Sequence, residues 1–238
     1  MLAGHAPALS CRPMVGSAGP CPADAFAHRT AGVPISMDTV TEQHRAVAMH
    51  AMKIMGGDAR PKVQAFYDDR RQRSVDILTT LNAPEAGLKS ISSIGLSDFA
   101  LRHSNGRELE TRVELCACVP EERLHWDNVV ASTAFAIMRD RAAVLPGSVI
   151  PDILLDYFPS STMPHICLVP PFFWREGRFA GLPLPPLAIN WLQCIAIHES
   201  ERRLIEQIGA DAFDELLQRH EVDVFDMDRV ALPALGVA

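Results

Sequence analysis

Apolar positions change period along the chain, and the changes mark out elements. From Thr39 to Met55, Val47, Met52 and Met55 recur near helical spacing; Thr39 with Glu42 has the form of a capping box, and Gly56-Gly57 stops the run. A polar stretch holding Tyr67-Asp68-Asp69-Arg70 follows. Ser74 to Leu81 is then apolar and rich in β-branched residues, which predicts a strand closed by the turn Asn82-Ala83-Pro84. Ile91, Ile94, Leu96 and Phe99 predict a second short strand ending near Gly95-Leu96-Ser97-Asp98, and Ser104-Asn105-Gly106 predicts the turn into a third. In the third strand Leu109, Thr111, Val113 and Leu115 alternate with Glu110, Arg112 and Glu114, so the charged set is expected on a wet face.

Trp126 to Arg141 reads as an amphipathic helix, with Val130, Phe135, Ile137 and Met138 for a core, and Pro146-Gly147 breaks the chain after it. His165 to Val169 and Ile189 to Ile197 predict strands, separated by the aromatic run Phe172-Phe173-Trp174 and the proline loop 181–186. Two helices follow, Glu199 to Ile208 and about Asp211 to His220 with Asp211 as cap, and Val222 with Val224 suggests a last edge strand. Without regular βαβ alternation the class is α+β: a largely antiparallel or mixed sheet with helices packed on it.

The chain has 238 residues, 48% apolar and 21% charged, values of an ordinary folded domain. Residues 1–36 are rich in Ala, Pro and Gly without periodicity; they read as a disordered or mis-annotated leader before a single domain, 37–238. The net charge of -7 argues against a nucleic-acid or anionic membrane partner and would steer a basic protein instead. No apolar run reaches the roughly 18 residues of a membrane helix. Cys11, Cys21, Cys116, Cys118, Cys167 and Cys194 form no CxxC pair, so buried, reduced thiols and a cytoplasmic location are expected.

Several constellations could carry chemistry. His165 and Cys167 share a strand face, as a thiol and a base would, and His198-Glu199-Ser200-Glu201 joins imidazole to carboxylates at a helix start. The latter is not HExxH, because position 202 is arginine, and its acids suit a helix dipole. Cys116-x-Cys118 lacks a second ligand pair, and Asp68-Asp69 and Asp226-x-Asp228 lack the alternating oxygens of a calcium loop. No P-loop, GxGxxG or GxSxG is present, so no metal, cofactor or catalytic residue is assigned. A small hydrolase or transferase using His165/Cys167 or His198/Glu199 stays as an alternative. The cluster Phe172-Phe173-Trp174 reads as core or interface, with Trp174 as its exposed member.

Ile189-Asn-Trp-Leu-Gln-Cys-Ile-Ala-Ile-His-Glu-Ser-Glu201, Leu204-Ile205, Gly209 to Leu217, Val222-Asp-Val224 and Arg229 together resemble the end of the suppressor-of-fused (SUFU) domain. Ile94 to Asp98, Glu108 to Glu110, Pro146-Gly147, Pro159 to His165 and Pro170-Pro171-Phe172 resemble the same family, so that the likeness runs from about Thr39 to Leu232. His198 stands where the family pattern has threonine, and one domain is present where animal members have a further one. The resemblance implies a non-enzymatic protein-binding domain. It also implies, for short single-domain relatives, an immunity protein or antitoxin that neutralises a polymorphic toxin by direct binding, with a basic toxin domain as partner. A peptide-binding adaptor working by strand addition is the other binding reading. Ser160, Ser161, His165 and Trp174 are the candidate partner-contacting residues.

Overall fold

The computed structural model describes residues 40–56, 60–174 and 179–233, so the expected leader lies outside the described residues. The elements run α1 (Glu42–Met55), β1 (Lys62–Tyr67), β2 (Ser74–Leu81), β3 (Leu88–Ile94), β4 (Arg112–Pro120), α2 (Trp126–Asp140), β5 (Val149–Ile150), β6 (His165–Val169), β7 (Leu182–Leu184), β8 (Leu187–Ile197), α3 (Glu199–Ile208) and α4 (Ala210–Arg219). They form one sheet in the order β1-β2-β3-β4-β8-β6-β5, with β7 also paired to β8. Every pairing is antiparallel except the central one, where Arg112 to Cys116 of β4 run parallel to Ile189 to Gln193 of β8. The class is the expected α+β, with a mixed sheet.

Strand alternation sends side chains into cores on both faces. On one face Val75, Ile77, Ile91, Leu115, Ala117, Leu192 and Ile166 pack with α2. On the other, Leu78, Cys116, Cys118 and Trp191 meet Val47, Ala51 and Met55 of α1, while Cys167, Ile195 and Ile197 meet Leu204, Ile205, Phe213 and Leu217 of α3 and α4. Val47, Ala51 and Met55 are four residues apart, one stripe of a helix. Burying Val47 or Met55 contributes about 1.5–3 kcal/mol each.

The structure corrects several expectations. The face expected to be wet is dry at Glu114, which has no exposed surface, whereas Glu110, just before β4, is exposed and Arg112 is half-buried. The Glu114 carboxylate accepts from the Ser93 hydroxyl and from the amides of Gly95 (2.9 Å) and Ser97 (3.0 Å). Those amides are presented by a 3-10 turn, Leu96–Asp98, entered through Gly95 at φ 107°; the second strand ends at Ile94, next to its expected end, and the turn takes Leu96 and Phe99 out of it. The helix α2 is not amphipathic, since Val129 to Met138 are all buried between the sheet and the segment around Tyr157. The α1 cap is Thr41, whose hydroxyl accepts from His44 N at 3.1 Å; Thr39 lies outside the described residues. At α4 the cap position is Gly209, and Asp211 sits in the first turn. Val222 and Val224 form no strand; Val222 N donates to Leu217 O (3.0 Å) to finish the helix end.

Candidate functional site

At the β5 end of the sheet a cleft of about 520 Å³ opens between the C-terminal half of α2 and the segment 142–156. Ala136, Val144 and Ile153 give it an apolar floor, and Asp140, Asp152 and Asp156 stand along its wall. Among the described residues no strand pairs with the outer side of β5, whose Val149 and Ile150 also line the cleft. Asp140 is held by its neighbour Arg139 (2.6 and 3.0 Å), which keeps its carboxyl below the usual range. Asp156 goes the other way: partial burial, and then the like charges of Asp69 and Asp152, push its carboxyl up. Arg139 also lines the cleft and offsets Asp140, so the surplus negative charge lies at Asp152 and Asp156, where a cationic group from outside would relieve it.

The wall is fixed from behind. Asp152 has φ 61°, a left-handed conformation that costs a residue with a Cβ about 1 kcal/mol. Its backbone N–H donates to His165 Nδ1 at 3.1 Å, which makes Nε2 the protonated nitrogen, and Nε2 donates to Glu199 Oε2 at 2.8 Å. Glu199 also accepts from Arg202 Nε and Nη2 (2.7 Å each) and Arg203 Nε (2.9 Å). The Arg202 and His165 hydrogen bonds hold its carboxyl far below the usual range. A chain of hydrogen bonds thus runs from the cleft wall through a buried imidazole to the start of α3.

A second network lies beside it. Arg229 clamps Glu201 with two hydrogen bonds (2.6 and 2.7 Å), and the same carboxylate accepts from the amides of His198 and Leu232 (3.0 Å each). His198 places Nδ1 2.9 Å from Thr162 O and Nε2 3.0 Å from Arg229 O. A neutral ring can donate to only one of them at a time. The histidine at the threonine position of the family pattern therefore does not cap α3 with its side chain. It ties the loop before β6 to the C-terminal segment.

The candidate pairs for catalysis are not assembled. His165 and Cys167 are both buried, both nitrogens of His165 are engaged, and burial followed by the charge of Glu201 pushes the Cys167 thiol up to about 12. Such a thiol stays protonated and is a poor nucleophile. His198 and Glu199 bond to different groups: the His198 ring meets the carbonyls of Thr162 and Arg229, whereas Glu199 reaches His165 of the first pair, with its carboxylate also held by Arg202 and Arg203. Cys116 and Cys118 are buried, and burial pushes the Cys118 thiol up to about 12. Asp68 and Asp226 accept from backbone amides of their own turns. Among the described residues no group of three or more His, Cys, Asp or Glu is placed to hold a metal ion, and no helix is long and apolar enough to cross a membrane.

Trp174, expected to be exposed, is buried. Its Nε1 donates to Ser90 Oγ at 2.8 Å, and its ring meets Phe179, which stacks on Trp191. Phe172 is the exposed member, at 51%. Of the other candidate contact residues, Ser160 is exposed and Ser161 half-buried in the loop before β6, while His165 acts from behind the cleft wall. The acids Asp140, Asp152 and Asp156 were not singled out in the sequence; the available signal was Asp152-x-x-x-Asp156 directly after the strand break at Pro151.

Comparison with known proteins adds three findings. Residues 71–230 match the family model described as Suppressor of fused protein (SUFU). The chain is 31% identical over 191 residues to a protein named Immunity protein YqcF from Bacillus subtilis (strain 168), covering 80% of this chain and 97% of that one. In fold it is similar to a SUFU homolog from Neisseria gonorrhoeae FA 1090, at TM-score 0.60 and 14% identity over 80% of this chain and 97% of that one. It is also similar to Drosophila Suppressor of Fused, at TM-score 0.56 and 13% identity over 80% of this chain, spanning 51% of that protein.

Proposed function

This chain belongs to the suppressor of fused family, and on that premise we propose that it is an immunity protein that binds a toxin domain directly and inactivates it without catalysis. The observation that carries the reading is the 31% identity to Immunity protein YqcF across 97% of that protein. The chain acts as one domain from about residue 37, in the cytoplasm, where the four described cysteines remain the buried free thiols they are here. The binding surface is the cleft beside β5, with Ser160 and Ser161 of the neighbouring loop as further contacts and His165 as the residue that positions Asp152. Its acid wall suits a basic toxin, which the chain's net charge of -7 also attracts.

Co-expression with the toxin-like product of a neighbouring gene tests it. Growth is expected to be restored and a stable complex recovered; the absence of both for every such candidate would refute the reading.

A second reading, an adaptor that captures peptides by strand addition, is favoured by β5, whose outer side carries no strand among the described residues and opens on the same cleft. An isolated peptide segment of the toxin that competes fully with the whole domain would support this reading over a surface-to-surface complex.

A further inference from the structure

The strand β1 ends the sheet at the opposite end of the strand order from β5, and among the described residues nothing pairs with its outer side. Five of its six residues are exposed and Phe66 is half-buried; Val63 stands at 53% and Tyr67 at 48%. Asp68 N donates to Arg73 O across the hairpin, so by antiparallel alternation the even-numbered residues of β1 face β2. Val63, Ala65 and Tyr67 therefore turn their N–H and C=O groups outward. Edge strands are usually blunted by a charge, a proline or a bulge. In β1 the centre, Val63-Gln64-Ala65-Phe66, is uncharged, and the charges Lys62 and Asp68 lie at its ends.

Those ends complement each other. A two-fold axis normal to the sheet and passing through Ala65 sets β1 antiparallel to its own copy, with Val63 opposite Tyr67 and Lys62 opposite Asp68, each pair occurring twice. Val63 and Tyr67 form a β-branched and aromatic pair, and both carry the outward N–H that the ladder needs. Asp68 Oδ1 already accepts from the amides of Gln72 (2.7 Å) and Arg73 (3.2 Å), which leaves Oδ2 for the ammonium of Lys62. Centring the axis on Gln64 would instead set Tyr67 opposite Pro61, which has no N–H to give. We infer that a second copy of this chain seats on the outer edge of β1, making a dimer whose sheet continues across a two-fold axis at Ala65 and whose β5 clefts stay at the far ends of the strand order.

Sedimentation of the full chain across a concentration series tests this. The wild type is expected to be a reversible dimer. Ala65→Pro removes one outward N–H, a change that an edge strand tolerates, and is expected to be monomeric with its melting temperature retained. Lys62→Asp and Asp68→Lys each place like charges across the axis and are expected to raise the dissociation constant roughly tenfold. Mixing these two variants restores both opposite-charge pairs and is expected to restore the dimer. If Asp68→Lys fails to fold for want of its turn cap, Ala65→Pro and Lys62→Asp still decide the matter. A wild type that is monomeric throughout, a dimer that survives Ala65→Pro, or a mixture of folded variants that stays monomeric overturns the proposal. So does a monomeric full chain that dimerises only after residues 1–39 are removed, which would name that segment as the occupant of the edge.

Discussion

Glu114, under α1, and Glu201, at the start of α3, are both without exposed surface, yet they sit in opposite electrostatic environments. Glu114 meets only neutral donors, the Ser93 hydroxyl and the amides of Gly95 and Ser97, and burial outweighs them to push its carboxyl up. For Glu201, burial also acts upward, but the Arg229 guanidinium and the amides of His198 and Leu232 outweigh it and the carboxyl ends below the usual range. The difference shows what each end of the molecule is made for. At the α1 end the buried carboxylate is held by neutral hydrogen-bond donors alone. The α3 end is a framework of ion pairs, Glu201 with Arg229 and Glu199 with Arg202, which the neutral His165 links by hydrogen bonds to the wall of the cleft.

The sharpest way to break this contrast is Arg229→Ala. It leaves the Glu201 carboxylate buried without its counter-charge and is expected to cost about 3–5 kcal/mol in urea unfolding. A loss below about 1 kcal/mol would place Glu201 in the same class as Glu114.

The two glutamates also predict opposite pH responses. The folded pKa of Glu114 is raised, so its contribution to stability is full below the ordinary carboxylate range and is lost as pH rises through the folded value. The folded pKa of Glu201 is lowered, so its contribution is present above that range and is lost as pH falls through the folded value. Glu114→Gln keeps an oxygen for the two amides and can donate to Ser93. It is expected to change stability at neutral pH by about 1 kcal/mol or less while removing the decline seen as pH rises from the carboxylate range. Urea unfolding over a pH series checks it, and an unchanged slope would mean that Glu114 is not the titrating group.

The contrast was only partly legible in the sequence. The strands β2, β6 and β8 and the helices α1, α3 and α4 show as apolar runs or stripes with first-turn acids, because each has a consistent period of its own. The strand β1 was missed because, at an edge, five of its six residues are exposed and leave no hydrophobic alternation to read. Glu114 was assigned to a wet face because the groups that dry it, Gly95 and Ser97, come from a turn about twenty residues earlier whose shape depends on a positive φ at Gly95. The cleft was invisible for a similar reason. It is built from small residues on α2 and from the 142–156 segment, and nothing local marks their meeting. The motifs that carried the family likeness did point to the right places, since Gly95 to Asp98 holds Glu114 and the segment from His198 to Arg229 forms the ion-pair framework.

The last expected effect bears on function. Replacing Asp152 and Asp156 together by asparagine keeps a side chain that tolerates the left-handed conformation at position 152 and removes two charges from the cleft wall. Association with a basic toxin domain is expected to slow about tenfold at low salt, with stability unchanged. An unchanged association rate, measured by stopped flow, would move the binding surface away from the β5 cleft.

The most direct test of binding without catalysis is a titration of purified toxin domain with this chain while the toxin's activity is read. Complete inhibition is expected at one chain per toxin, reversible on dissociation and with no covalent change in either mass. Inactivation by a small fraction of an equivalent, or a modified toxin, would contradict the account and make the chain an enzyme.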